Sequence, residues 1–229
     1  MSRLQSQWQR LYEPASDGRD GAVRALVLEV ARPADWEPLS RVWRGVQADL
    51  QLPAPAIAVS GSDGLQLWFS LREAVDVAAA ALFLQRLQDR YLADLAPARV
   101  RAMPSTREPA WQAPRVPAPQ PGTENWSAFV APDLAPVFGE TPWLDIPPGT
   151  DGQADLLARL QSIEPAAFQA AMECLAGPAT SAQPAAAAPV PASATSDVDP
   201  RRFLQRVLND ESVALALRIE AAKALLGRA

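Results

Sequence analysis

Six residues in this chain have the types and spacing to do chemistry together: Glu29, Ser60, Gln66, Trp68, Arg99 and Arg101. An aromatic ring can stack on a base, and guanidinium groups hold phosphate through paired N–H donors. Short polar side chains then fix orientation, so the set describes a site for a nucleotide or a single-stranded nucleic acid. Composition excludes most other chemistry. With His 0 and Cys 1 the chain has no Ser-His-Asp triad, no Cys-His pair, no histidine facial triad and no Cys/His zinc site. No catalytic residue, metal ligand or cofactor is assigned on the residues alone.

The elements that must position these six follow from pattern. Val23 to Val30 (VRALVLEV) follows a Gly/Asp cluster and reads as a buried strand. Asp35 is placed to cap a helix from Trp36 to Leu50, with Pro38 tolerated in its first turn. Leu39, Val42, Trp43, Val46 and Leu50 give that helix one apolar stripe, and Pro53 and Pro55 close it. Ala56 to Ser60 and Leu65 to Leu71 are short strands joined by Gly61-Ser62-Asp63-Gly64, a hairpin turn signal. Asp76 caps a second helix, Val77 to Leu92, and Ala98 to Met103 alternates as a half-exposed strand does. The order β-α-β-β-α-β predicts an α+β, ferredoxin-like sheet domain with both helices on one face.

Alternation then sorts side chains between the two faces. Leu65, Leu67, Phe69 and Leu71 face the helices, with Leu26, Leu28 and Val30 on the first strand, Ile57 and Val59 on the second and Val100 on the last. The other face receives Val27, Glu29, Ser60, Gln66, Trp68, Ser70, Arg99 and Arg101. Two readings of that face stay open. It is an exposed binding surface, or Trp68 seats the Trp126–Trp143 segment returning over the sheet. The Ser60–Gly64 turn likewise is either a nest of N–H groups for phosphate or a plain turn, in which Asp63 would repel an anion.

The stretch Ile57-Ala58-Val59-Ser60-Gly61-Ser62-Asp63-Gly64-Leu65-Gln66-Leu67-Trp68-Phe69 resembles the second motif of archaeo-eukaryotic-type primases and primase-polymerases. Ala25 to Ala31 stands where that family carries two metal-binding carboxylates, and Arg99 to Ser105 is similar to the basic stretch around its third motif. The resemblance covers about Val23 to Ser105 and implies an RRM-like βαββαβ core. Gln66 occupies the position of the family's nucleotide-contacting histidine, and Glu29 with Ala31 leaves at most one of the two carboxylates. Two-metal phosphoryl transfer needs several hard oxygen ligands, so the resemblance implies an inherited fold without polymerase chemistry.

The remaining organisation is read from composition. Residues 1–22 form an N-terminal extension and 23–104 the ferredoxin-like domain. Residues 105–122 are a Pro-rich connector, and 123–177 a Trp-rich segment with helices over Asp151 to Ile163 and Pro165 to Ala176. Residues 178–199 are an Ala/Pro linker expected to be disordered, and 200–229 a helical hairpin. The apolar residues of Phe203 to Leu226 suit docking on a protein partner or a second copy, or packing back on the chain's own core. A net charge of -5 opposes a general attraction to nucleic acid or anionic lipid. The opening residues carry no apolar signal, the longest apolar run is too short for a membrane span, and a lone Cys174 fits a reducing compartment; a cytoplasmic location is expected. Two functions remain: a non-catalytic domain binding nucleotide or single-stranded nucleic acid weakly on an open sheet face, or an adaptor with that face sealed and partner-docking C-terminal helices.

Overall fold

Side-chain caps fix where three of the helices begin. Ser2 accepts from the Gln5 amide at 3.1 Å, Asp35 from Glu37 at 3.1 Å and Asp76 from Ala79 at 2.7 Å, each satisfying a donor that a helix start leaves unpaired. In the computed structural model, which describes residues 2–13, 21–108 and 111–176, the elements run α1 (Arg3–Tyr12), β1 (Ala22–Ala31), α2 (Trp36–Ala48), β2 (Ala56–Val59), β3 (Gly64–Asp76), α3 (Val77–Tyr91), β4 (Val100–Met103), β5 (Ala128–Val130), α4 (Thr150–Ala158) and α5 (Pro165–Leu175). The linker expected over 178–199 and the hairpin over 200–229 lie outside the described residues.

The fold is α+β. Among the described residues five strands form one sheet in the order β4-β1-β3-β2-β5, with every neighbouring pair antiparallel. Helices α2 and α3 pack on what we term the near face. There Leu26, Leu28 and Val30 of β1 and Leu65, Leu67 and Phe69 of β3 meet Leu39, Val42 and Val46 of α2 and Phe83, Leu84 and Leu87 of α3. Ile163 and the α5 residues Phe168 and Ala171 complete this core. Burying side chains of this kind stabilises by about 1.5–3 kcal/mol each.

The opposite, far face is not open, which corrects the expectation of an exposed surface. Leu11 and Tyr12 of α1, Val116, Phe129 of β5 and Leu157 of α4 close over Ala25, Val27, Ala56, Ala58 and Trp68. Within the segment expected to be an N-terminal extension, helix α1 (Arg3–Tyr12) forms part of this cover. The Trp-rich segment contributes to this cover from the edge of the sheet: Ala128 to Val130 extends the sheet beside β2, pairing Phe129 with Ala58, and the Phe129 ring meets Trp68. The predicted strand Ala98 to Met103 starts later, since Pro97–Arg99 forms a 3-10 turn before β4. Proline at the start of that turn sets its φ and removes a ladder donor.

Arginines pin the cover down. Arg24 donates to the carbonyls of Leu71, Glu13 and Arg10 at 2.9, 2.8 and 3.0 Å, so it satisfies the C-terminal end of α1 from the sheet. Arg10 donates in turn to Leu157 at 2.9 Å and Leu160 at 3.2 Å beyond α4. Ser70 on β3 donates to the Leu11 carbonyl at 2.7 Å. Among the described residues no helix is long and apolar enough to cross a membrane.

Candidate functional site

Strand register assembles four of the six sequence-predicted residues. Glu29 stands opposite Gln66 across β1 and β3 and opposite Arg101 across β1 and β4, so Arg101, Glu29 and Gln66 form one row on the far face. Trp68 lies in the next row, opposite Val27 and Ala56, with Met103 beyond Val27. This is the placement that side-chain alternation requires.

These four side chains bond to one another. The Trp68 indole donates from Nε1 to Gln66 Oε1 at 2.8 Å, and Gln66 Nε2 donates to Glu29 Oε2 at 2.6 Å. Arg101 Nη1 donates to Glu29 Oε1 at 2.8 Å. The direction of the chain is chemically fixed, because an indole N–H only donates and an ionised carboxylate only accepts; Gln66 must present its oxygen to one and its nitrogen to the other. Glu29 is 3 % exposed, so its charge requires this pairing. Arg101, with its side chain 41 % exposed, carries the network outward to Asp63 at 3.3 Å, and Arg32 reaches Asp63 at 3.1 Å. Asp63 and Arg32 are the members that site reasoning missed. The legible signal was the acidic turn beside a strand already placing an arginine.

Glycine makes room for the carboxylate. A Cβ on Gly64 would stand 2.7 Å from Glu29 Cγ, closer than real side chains tolerate. The same turn is occupied by its own bonds. Ser60 Oγ accepts from the Ser62 and Gly64 amides at 3.1 and 2.9 Å, and the Gly61 amide donates to the Pro142 carbonyl at 3.0 Å. These N–H groups do not form an open nest for phosphate.

Ser60 and Arg99 do not join the row. Ser60 serves the turn, while Arg99 donates to the Pro33 carbonyl at 2.9 Å in the connection after β1. Trp68 is 1 % exposed, with the Tyr12 and Phe129 rings edge-on to it at centroid distances of 5.3 and 5.8 Å. A base cannot stack on a ring enclosed in this way. Both Glu29 oxygens already accept hydrogen bonds, which leaves the carboxylate poorly placed as a general base. Among the described residues no three His, Cys, Asp or Glu side chains gather to hold a metal ion.

Burial also governs the two tyrosines. It pushes the Tyr12 phenol far above its ordinary value, with a small opposing pull from Arg10. It also pushes Tyr91 up to about 12, aided by the hydrogen bond from its hydroxyl to Asp49 at 2.9 Å. No protein-family model matches the chain, and no curated protein matches it.

Proposed function

We propose that this protein is a non-catalytic interaction protein built on a degenerate primase-like core, with the far face of its sheet serving as an internal core rather than a ligand surface. What carries the reading is the burial of Trp68, 1 % exposed beneath Tyr12 and Phe129. The aromatic that would have to stack on a base is instead part of the packing. The row Arg101–Glu29–Gln66 supports the same reading, since its polar groups satisfy one another. A primase-like ancestry gives Glu29 a history as a metal ligand, and here its oxygens bind an arginine and a glutamine.

Docking on a protein partner, or on a second copy, is assigned to Phe203–Leu226 from its apolar spacing in the sequence. The lone Cys174 supports a cytoplasmic setting.

The test uses the full chain and a fluorescently labelled single-stranded oligonucleotide at low ionic strength, where arginine–phosphate attraction is greatest. The expected anisotropy trace shows no saturable binding. Saturable binding that disappears in Arg101→Ala would instead establish the nucleic-acid reading.

A further inference from the structure

Beside β5 lies an apolar cleft of about 330 Å³, a volume in the range of small-molecule sites. Buried Ile57 and Phe129 and half-buried Trp43 and Leu156 line it, so an apolar surface is held within reach of solvent. The polar groups of its aromatic residues are already bonded elsewhere. The Trp43 indole donates from Nε1 to the Pro55 carbonyl at 3.2 Å, and the Phe129 amide and carbonyl bond Gln153 at 2.8 Å each.

Two charged residues, Asp133 and Arg159, also line the cleft, and they carry opposite signs. Asp133 stands in the turn after β5, and Arg159 is the C-cap of α4. Both are exposed, and neither side chain forms an ion pair or a hydrogen bond with the other or with any other described residue. The carboxylate only accepts hydrogen bonds and the guanidinium only donates them. An anion in the cleft would be drawn to Arg159 and repelled by Asp133, and a cation the reverse. A molecule that carries both charges beside an apolar body gains a charge-assisted bond from each.

We propose that the cleft binds a small apolar zwitterion, a free α-amino acid with a large apolar side chain. Its carboxylate meets Arg159, its ammonium meets Asp133, and its side chain lies against Trp43, Ile57, Phe129 and Leu156. The site is separate from the polar row on the sheet and does not depend on the interaction reading. It asks nothing of catalysis.

The experiment titrates the full chain calorimetrically with L-phenylalanine, with 3-phenylpropanoate, which lacks the ammonium, and with 2-phenylethylamine, which lacks the carboxylate. Saturable binding of one L-phenylalanine per chain is expected, with each single-charge analogue at least about tenfold weaker. Arg159→Gln should weaken L-phenylalanine about tenfold without weakening 2-phenylethylamine, and Asp133→Asn should weaken it as much without weakening 3-phenylpropanoate. Both residues are exposed, so neither substitution should lower the melting temperature. Leu156→Trp, which fills the cleft, should weaken L-phenylalanine at least about tenfold; if that variant fails to fold, Leu156→Phe takes its place. The proposal is overturned by an absence of saturable binding, by a single-charge analogue that binds as tightly as L-phenylalanine, by affinity unchanged in Arg159→Gln or Asp133→Asn, or by binding that survives filling of the cleft.

Discussion

The two faces of the sheet bury comparable side chains by different means. The near face is covered by α2 and α3, helices that follow their strands directly in sequence, and its contacts are aliphatic and aromatic throughout. The far face draws its cover from α1, Val116, Phe129 of β5 and α4, segments widely spaced along the chain. Beneath that cover it keeps a charged and polar row, Arg101–Glu29–Gln66, tied to the Trp68 indole. Area alone accounts for the near face. On the far face a one-residue slip of β1 would leave Glu29 without either partner, so the row also specifies register.

The largest effect should come from treating both faces as core. Trp68→Ala is expected to destabilise by about 3–5 kcal/mol, the same range as Phe83→Ala on the near face, since each removes a fully buried aromatic. Urea unfolding of both variants checks this. A Trp68→Ala loss under about 1 kcal/mol, the scale of a surface substitution, would break the equivalence of the faces.

A smaller effect separates the faces. Glu29→Ala leaves Gln66 and part of Arg101 without their acceptor, and about 2–4 kcal/mol of lost stability is expected, below the full cost of orphaning a buried charge because Arg101 reaches solvent. Restoring shape without charge in Glu29→Gln should recover part of it. If the two variants match wild type in urea, the row contributes nothing to folding.

The near face was legible because its helices repeat apolar residues at three- and four-residue steps and carry visible aspartate caps. Alternation also assigned Glu29, Gln66, Trp68 and Arg101 to the correct side. What it could not give was the cover, because alternation states which way a side chain points and not what lies above it. Two signals were present. Leu4, Trp8, Leu11 and Tyr12 recur at helical spacing in the segment read as an extension. Val27, Ala56, Ala58 and Trp68 are too apolar for a solvated face. Edge pairing by Ala128–Val130 was harder to foresee: the strand has three residues, and Gln153 closes its outer side by bonding the Phe129 amide and carbonyl at 2.8 Å each.

The smallest effect is alkaline and contrasts the two tyrosines. Each phenol is raised in the folded state from an ordinary value of 10.0, Tyr91 to about 12 and Tyr12 further. The folded state thus prefers the protonated phenol. The associated stability is complete below about pH 10 and lost as pH rises through the folded values. A phenolate absorbance titration should show Tyr91 ionising near 12 and Tyr12 only on unfolding. Both ionising together near 10 would place Tyr12 at the surface.

The central claim is that the far face is interior, and hydroxyl-radical oxidation read peptide by peptide addresses it most directly. The side chain of Trp143 is partly exposed, whereas Trp68 is 1 % exposed. On this account Trp68 oxidises as slowly as the enclosed ring of Phe83, while Trp143 reacts readily. Oxidation of Trp68 at the rate of Trp143 in the folded full chain would contradict it.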